Sequence, residues 1–317
     1  EHELAQLDPE PWPTAYADNR NTSQSRTLAD VTPRVIPSAP VHSPAATGPN
    51  GNLYYKTYNG SSISLLSATP EGDVNWSIEL AGRLNISPGT QPSSPIVTEQ
   101  YVYFLAPADG VGTGLYRVDL GGDGLIAVID SGNPVSDTPA IGNDNQIYVP
   151  RQGGQLTFVS VEGGTPVLED TYETDGTRVT SPLVLPDGRI LVATGNGGLF
   201  AFSPAGDRGE SLVEGDGEFL LPPVVSKDNV AYLVTFGDSE EDGSPTPQLV
   251  AVDVDASEDN TLWSQPLDGG SPVGIAAGPN GHVYVTTTGS TNSAIQRYNV
   301  EGGVQDWSYA DRKSTRL

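Results

Sequence analysis

Six times along this 317-residue chain a small residue or proline followed by proline precedes, about nine residues on, a short strand rich in Tyr, Ile and Val. The first four copies are Ser43-Pro44 with Asn52-Leu53-Tyr54-Tyr55, Ser94-Pro95 with Tyr101-Val102-Tyr103-Phe104, Thr138-Pro139 with Gln146-Ile147-Tyr148-Val149, and Ser181-Pro182 with Arg189-Ile190-Leu191-Val192. Pro222-Pro223 with Val230-Ala231-Tyr232-Leu233, and Ser271-Pro272 with His282-Val283-Tyr284-Val285, complete the set. Successive prolines lie 51, 44, 43, 41 and 49 residues apart. That period is the length of a four-stranded blade, so the chain is predicted to be an all-β propeller with six repeats visible.

Within each repeat the turns and strands alternate as such a blade requires. Gly48-Pro49-Asn50-Gly51, Gly142-Asn143-Asp144-Asn145, Pro186-Asp187-Gly188, Lys227-Asp228-Asn229 and Gly278-Pro279-Asn280-Gly281 each precede a second strand. Their Gly and Asn residues supply the positive φ of a tight hairpin. Third strands follow at Ile63-Ser64-Leu65-Leu66, Leu115 to Asp119, Leu156 to Val159, Leu199 to Phe202, Leu249 to Asp253 and Ile295 to Asn299. The fourth strand is marked by Gly72-x-x-x-Trp76 and Gly303-x-x-x-Trp307, with Trp263 in the matching place of the fifth copy. A large aromatic recurring at one position is read as blade-to-blade packing.

Composition narrows the function. With 40 acidic against 15 basic Lys and Arg residues the formal charge is −25, which repels phosphate backbones and anionic lipid alike. Nucleic acid is therefore excluded as the expected partner. The chain has no cysteine, hence no disulfide, thiolate metal site or Cys nucleophile. No apolar run reaches the eighteen or so residues of a membrane helix. Three segments are expected: a polar lead-in over residues 1–30, the propeller over 31–310, and a non-native tail over 311–317, where Arg312-Lys313-Ser314-Thr315-Arg316-Leu317 resembles vector sequence. A leader or lipid anchor before Glu1 is expected, and so is truncation from seven or eight blades, Arg34-Val35-Ile36-Pro37 being the candidate closing strand.

The Ser/Thr-Pro step, the Gly-Asn-Gly-type turn before Ile/Leu/Val-Tyr-Val, Leu249-Val250-Ala251-Val252-Asp253 and the Gly-x-x-x-Trp endings together resemble the pyrroloquinoline-quinone (PQQ)-like β-propeller superfamily. Trp12-Pro13 to Asn21-Thr22 is similar to the opening segment of its members, and the resemblance covers about residues 11–310. The superfamily holds quinoprotein dehydrogenases and a non-enzymatic outer-membrane assembly lipoprotein. In the enzymes the resemblance implies a quinone on the propeller axis over an aromatic floor, a Ca²⁺ held by Glu, Asn and Asp, an Asp base and, in several, adjacent cysteines. No motif here matches those ligands. The expectation is therefore no quinone cofactor and a protein or peptide partner held by the loop face, in the periplasm or outside the cell; a PQQ- and calcium-dependent dehydrogenase or a carbohydrate-active propeller is the alternative.

Two local strings are candidate sites. Asp253, Asp255, Ser257 and Asp259 place an oxygen at every second position, as in the first half of a calcium loop. Glu258 stands where that loop needs Gly, and Ser264 where it needs Glu, which favours a solvated acidic turn. Asp238, Glu240, Glu241 and Asp242 form an acidic loop insertion in the fifth copy, the candidate partner contact. His282, one of three histidines, is read as a strand-surface residue, there being no Gly-x-Ser-x-Gly elbow for a triad. Gly195-x-Gly197-Gly198 is read as a hairpin rather than a phosphate loop.

Overall fold

Tight turns between short apolar strands leave a chain few ways to satisfy its backbone except antiparallel pairing with its immediate neighbours. The computed structural model describes residues 41–312 apart from residue 42 and short connecting segments, and it shows this pairing throughout. The first sheet is β1 (Ala46–Thr47), β2 (Leu53–Tyr58), β3 (Ile63–Ala68) and β4 (Val74–Glu79). The second is β5 (Ile96–Val97), β6 (Tyr101–Ala108), β7 (Gly112–Asp119) and β8 (Ile126–Ile129). The third is β9 (Ala140–Ile141), β10 (Gln146–Arg151), β11 (Gln155–Ser160) and β12 (Val167–Glu173). The fourth is β13 (Leu183–Val184), β14 (Ile190–Ala193), β15 (Leu199–Phe202) and β16 (Arg208–Val213). The fifth is β17 (Val224–Val225), β18 (Val230–Ser239), β19 (Pro245–Asp253) and β20 (Thr261–Pro266). The sixth is β21 (Ser271–Ala277), β22 (Val283–Thr288), β23 (Asn292–Tyr298) and β24 (Gln305–Arg312).

Each sheet is a four-stranded antiparallel meander in sequence order. These are the six blades of a β-propeller, and no helix occurs among the described residues. The hairpin turns carry the expected strain. Asn229 sits at φ 57°, Gly51 at 77° and Gly188 at 91°, and Gly51 and Gly188 each close an i to i+3 backbone bond. The outer ladder is irregular: register shifts fall at the same place in blades 1, 5 and 6 (Ser67/Ala68, Ala251/Val252 and Arg297/Tyr298) and two residues earlier in blades 2 and 4 (Leu115/Tyr116 and Leu199/Phe200). Such bulges increase strand twist, which lets a small sheet turn across its own width.

The chain divides into two compact units. One runs to Gln152 and takes in Val159–Glu169; the other comprises Gly153–Phe158 and Asp170 onward. In the first unit, apolar cores form between consecutive blades. Tyr54, Leu65 and Ile63 of blade 1 pack on Val102, Phe104 and Val118 of blade 2. Tyr103, Leu105 and Leu115 of blade 2 pack on Ile147, Val149 and Val159. In the second unit Leu191, Ala193 and Leu199 of blade 4 meet Ala231, Leu233 and Val252 of blade 5. Tyr232, Val234 and Leu249 of blade 5 then meet Val283, Val285 and Tyr298 of blade 6. Period-two alternation therefore feeds both faces of a blade, one to the blade before and one to the blade after.

Several boundaries differ from the sequence reading. β24 extends through Asp311 and Arg312, residues assigned to the tail, because Asn292 and Ser293 offer it partners. β18 likewise extends through Asp238 and Ser239, with Ser239 opposite Pro245. The Trp12 segment and the 34–37 strand lie outside the described residues.

Candidate functional site

The most unusual side chain in the first unit is Lys56, in the middle of β2. Strand alternation places it beside Tyr54, facing blade 2, at a position whose counterparts in the other blades are Leu105, Pro150, Ala193, Val234 and Thr286. Lys56 is fully buried there. Its ammonium donates to the Leu105 carbonyl (2.9 Å) and to Ser93 Oγ (3.2 Å), and its backbone N–H donates to Ser43 Oγ (2.9 Å). Burial alone lowers its pKa from 10.5 to about 7; no carboxylate among the described residues offsets the desolvation. Its ammonium is a hydrogen-bond clamp between blades 1 and 2.

In the second unit the acidic string is tied down rather than open. Asp253 Oδ1 accepts the backbone N–H of Asp255 (2.9 Å). Asp255 takes Arg189 Nη2 on Oδ1 and Asn229 Nδ2 on Oδ2 (3.0 Å). Arg189 also bonds Asp187 Oδ2 (2.7 Å) and the Val254 carbonyl (2.9 Å), so one guanidinium joins the hairpin turn of blade 4 to that of blade 5. Hydrogen bonds from Asn229 and Arg189 hold the Asp255 carboxyl below the usual range, and the two aspartates raise the Arg189 pKa against its partial burial. Ser257 and Asp259 lie outside the described residues. Because Asp255 is exposed and Arg189 only partly buried, solvent screens the pair, and Arg189→Ala is expected to lower unfolding free energy by about 1 kcal/mol or less in dilute buffer. Chemical denaturation at rising salt should show that difference shrinking.

Of the acidic loop, Asp238 belongs to β18, while Glu240, Glu241 and Asp242 lie outside the described residues. His282 precedes β22 and places Nε2 3.2 Å from Asp306 Oδ2, which also meets Arg297 Nε at 3.1 Å. The Gly195 to Gly198 segment is a hairpin, Thr194 N–H bonding the Gly198 carbonyl. Among the described residues no three His, Cys, Asp or Glu side chains gather closely enough to hold a metal ion.

The six four-stranded blades and the apolar cores between consecutive blades define a β-propeller. A family profile described as outer membrane protein assembly factor BamB matches residues 15–235. The chain belongs to that family. Solved structures of similar fold include the quinohemoprotein alcohol dehydrogenase of Comamonas testosteroni, 11% identical, TM-score 0.61, covering 94% of this chain and 73% of that one. Another is a quinohemoprotein alcohol dehydrogenase of Pseudomonas putida, 11% identical, TM-score 0.60, covering 82% of this chain and 57% of that one. A third is a protein from Lactobacillus plantarum, 14% identical, TM-score 0.59, covering 84% of each. At such identities the likeness establishes the fold alone, and this chain spans little more than half of the Pseudomonas enzyme. No curated protein matches the sequence significantly.

Sequence reasoning passed over Lys56 and Arg189. Lys56 had a signal: a charged residue in Tyr54-Tyr55-Lys56-Thr57-Tyr58, at an alternation position that is never charged in the other copies. Arg189 had none, since its partner Asp255 is 66 residues away.

Proposed function

We propose that this chain is a non-catalytic propeller of the cell envelope, exported, that binds a protein or peptide through its inter-strand loops. The observation that carries the reading is the match over residues 15–235 to a family described by its part in outer membrane protein assembly. Two features agree with it. The described residues bring together no three His, Cys, Asp or Glu side chains that could hold a metal ion, and the hairpin β18–β19 leads into the acidic sequence from Asp238 to Asp242. Loops on a rigid scaffold are where recognition residues concentrate. No helix among the described residues is long and apolar enough to cross a membrane.

The test places a photo-crosslinking residue at Glu241 in the protein expressed in envelope-containing cells. A single reproducible adduct, lost when Asp238, Glu240 and Asp242 are changed together to Asn, Gln and Asn, supports the reading. Dye-linked alcohol or sugar oxidation after reconstitution with PQQ and calcium, with no adduct formed, replaces it by the dehydrogenase reading.

Calcium at Asp253, Asp255, Ser257 and Asp259 is a subsidiary proposal. There the ion would have to displace the Arg189 guanidinium from Asp255. The expected result is millimolar binding at best, typical of the weakest extracellular calcium modules, tightened by Arg189→Ala. Calorimetry that detects no heat at about millimolar calcium for either protein removes the ion.

A further inference from the structure

Asn, any residue but Pro, then Ser or Thr is the triplet that accepts an N-linked glycan, and it serves where it lies on the surface of an exported chain. The sequence carries it four times, as Asn21-Thr22-Ser23, Asn59-Gly60-Ser61, Asn75-Trp76-Ser77 and Asn85-Ile86-Ser87. Asn21 and Asn85 lie outside the described residues. The other two triplets belong to blade 1, and the fold treats them differently.

Asn75 is part of β4. Its Nδ2 donates to Ser67 Oγ (3.3 Å), while Trp76 and Ser77 pair across the ladder with Ser67 and Leu66. The indole of Trp76 is fixed from blade 2, donating to the Leu120 carbonyl (2.9 Å) with Gly122 packed against it. Drawing this triplet into an enzyme would strip the outer strand from its sheet and uncover the ring.

Asn59-Gly60-Ser61 is the tip of the hairpin between β2 and β3, and all three residues are exposed. The Asn59 side-chain oxygen accepts from Ser61 N–H (3.0 Å), Ser61 Oγ (3.1 Å) and Ser62 N–H (2.8 Å). Three donors converging on one atom identify it as the carbonyl oxygen, and Nδ2 is left without a partner among the described residues. Gly60 stands at φ 93°, and a Cβ there would meet nothing within 4 Å, so the space over the tip is open. Tyr58 steadies the turn, its hydroxyl donating to the Gly60 carbonyl (2.9 Å). The hairpin thus offers an unengaged amide nitrogen, with the Ser61 hydroxyl in place beside it, and no strand has to unpair for an enzyme to reach it.

We propose that Asn59 is a glycosylation site, modified on the folded chain by an oligosaccharide carried on a lipid phosphate, while Asn75 stays bare. This rests on the reading that the chain is exported. In the transfer a bond forms between Asn59 Nδ2 and the anomeric carbon of the first sugar as the bond from that carbon to the lipid phosphate oxygen breaks. The lipid phosphate leaves with the electron pair, and the amide proton passes to the transferase and then to solvent. The product is a bulky, hydrated cover on the tip of the β2–β3 hairpin.

The experiment tags the protein in the cells that make it, recovers it from cytoplasm, envelope and medium, and digests it with trypsin. Cleavage after Lys56 and Arg83 leaves Asn59 and Asn75 on one peptide, so electron-transfer fragmentation is needed to place any sugar. The expected result is an oligosaccharide mass on Asn59 and none on Asn75. Asn59→Gln and Ser61→Ala should lose it, and Ser61→Thr, which keeps the hydroxyl, should retain it; that last variant separates loss of the acceptor from loss of the turn. An exported chain that is bare at Asn59 overturns the proposal and leaves export standing. A bare chain held in the cytoplasm overturns both. A sugar that survives Ser61→Ala, or an Asn59 converted only to Asp by attack of the Gly60 nitrogen, overturns the proposal as well. A glycan on Asn75, with or without one on Asn59, overturns transfer to the folded blade.

Discussion

The unfolding free energy of this protein is expected to rise by about 3 kcal/mol between pH 7 and pH 9.5, and Lys56→Met is expected to lose most of that rise. The folded lysine has a pKa of about 7 against 10.5 when solvated. At about 1.36 kcal/mol for each factor of ten, the full difference is on the order of 5 kcal/mol. The sign follows from proton counting. Between the two pKa values the unfolded chain binds a proton that the folded chain has shed, so raising the pH draws the equilibrium toward the folded state. Below pH 7 both states are protonated and the penalty of the buried charge is present in full. Near pH 9.5 the unfolded lysine is still about nine-tenths protonated, which is why about 3 kcal/mol rather than all of it falls in this window. Tyr103, whose phenol is pushed above 10 chiefly by burial, opposes the trend only at still higher pH. The measurement is guanidinium denaturation at several pH values for both proteins. Parallel curves for parent and variant would rule out a proton-shedding Lys56.

Trp76→Ala is the second large effect, a loss of about 3 to 4 kcal/mol. Its indole packs on Tyr54 and Leu120, is covered by Gly122, and donates to a carbonyl that otherwise loses that partner. Trp307→Ala removes the same side chain from the same place in a blade, yet the expected cost is below about 1 kcal/mol because little covers it. The pair is an internal control, one residue type at equivalent positions with and without a blade on top. Equal losses in urea denaturation would mean that Trp307 is covered in solution. Gly122→Ala should approach the Trp76→Ala loss, since it forces an alanine to φ 90° and a methyl to 2.8 Å from the ring.

The blade architecture was legible because each strand reports its own environment. Leu53 to Tyr58, Tyr101 to Phe104 and Val230 to Leu233 alternate or saturate with apolar residues, and the Gly and Asn turns bound them. The recurring Trp was legible as packing for the same reason. Strand ends were less so: Ser239 and Arg312 are polar, and their extended conformation goes with a partner across the ladder, Pro245 and Asn292. The calcium string looked like a ligand set because spacing along a chain is blind to a guanidinium arriving from another blade.

What the amino-acid order settled by itself was the repeat with its strands and turns, a consequence of local alternation and local turn chemistry. The tertiary structure decided which charges are spent. Burial against blade 2 lowers the Lys56 pKa, Asp255 is held by an arginine 66 residues away, and Trp307 is 40% exposed where Trp76 lies under a turn of blade 2. Burial and pairing depend on residues distant in sequence, and no pattern within a single repeat encodes them.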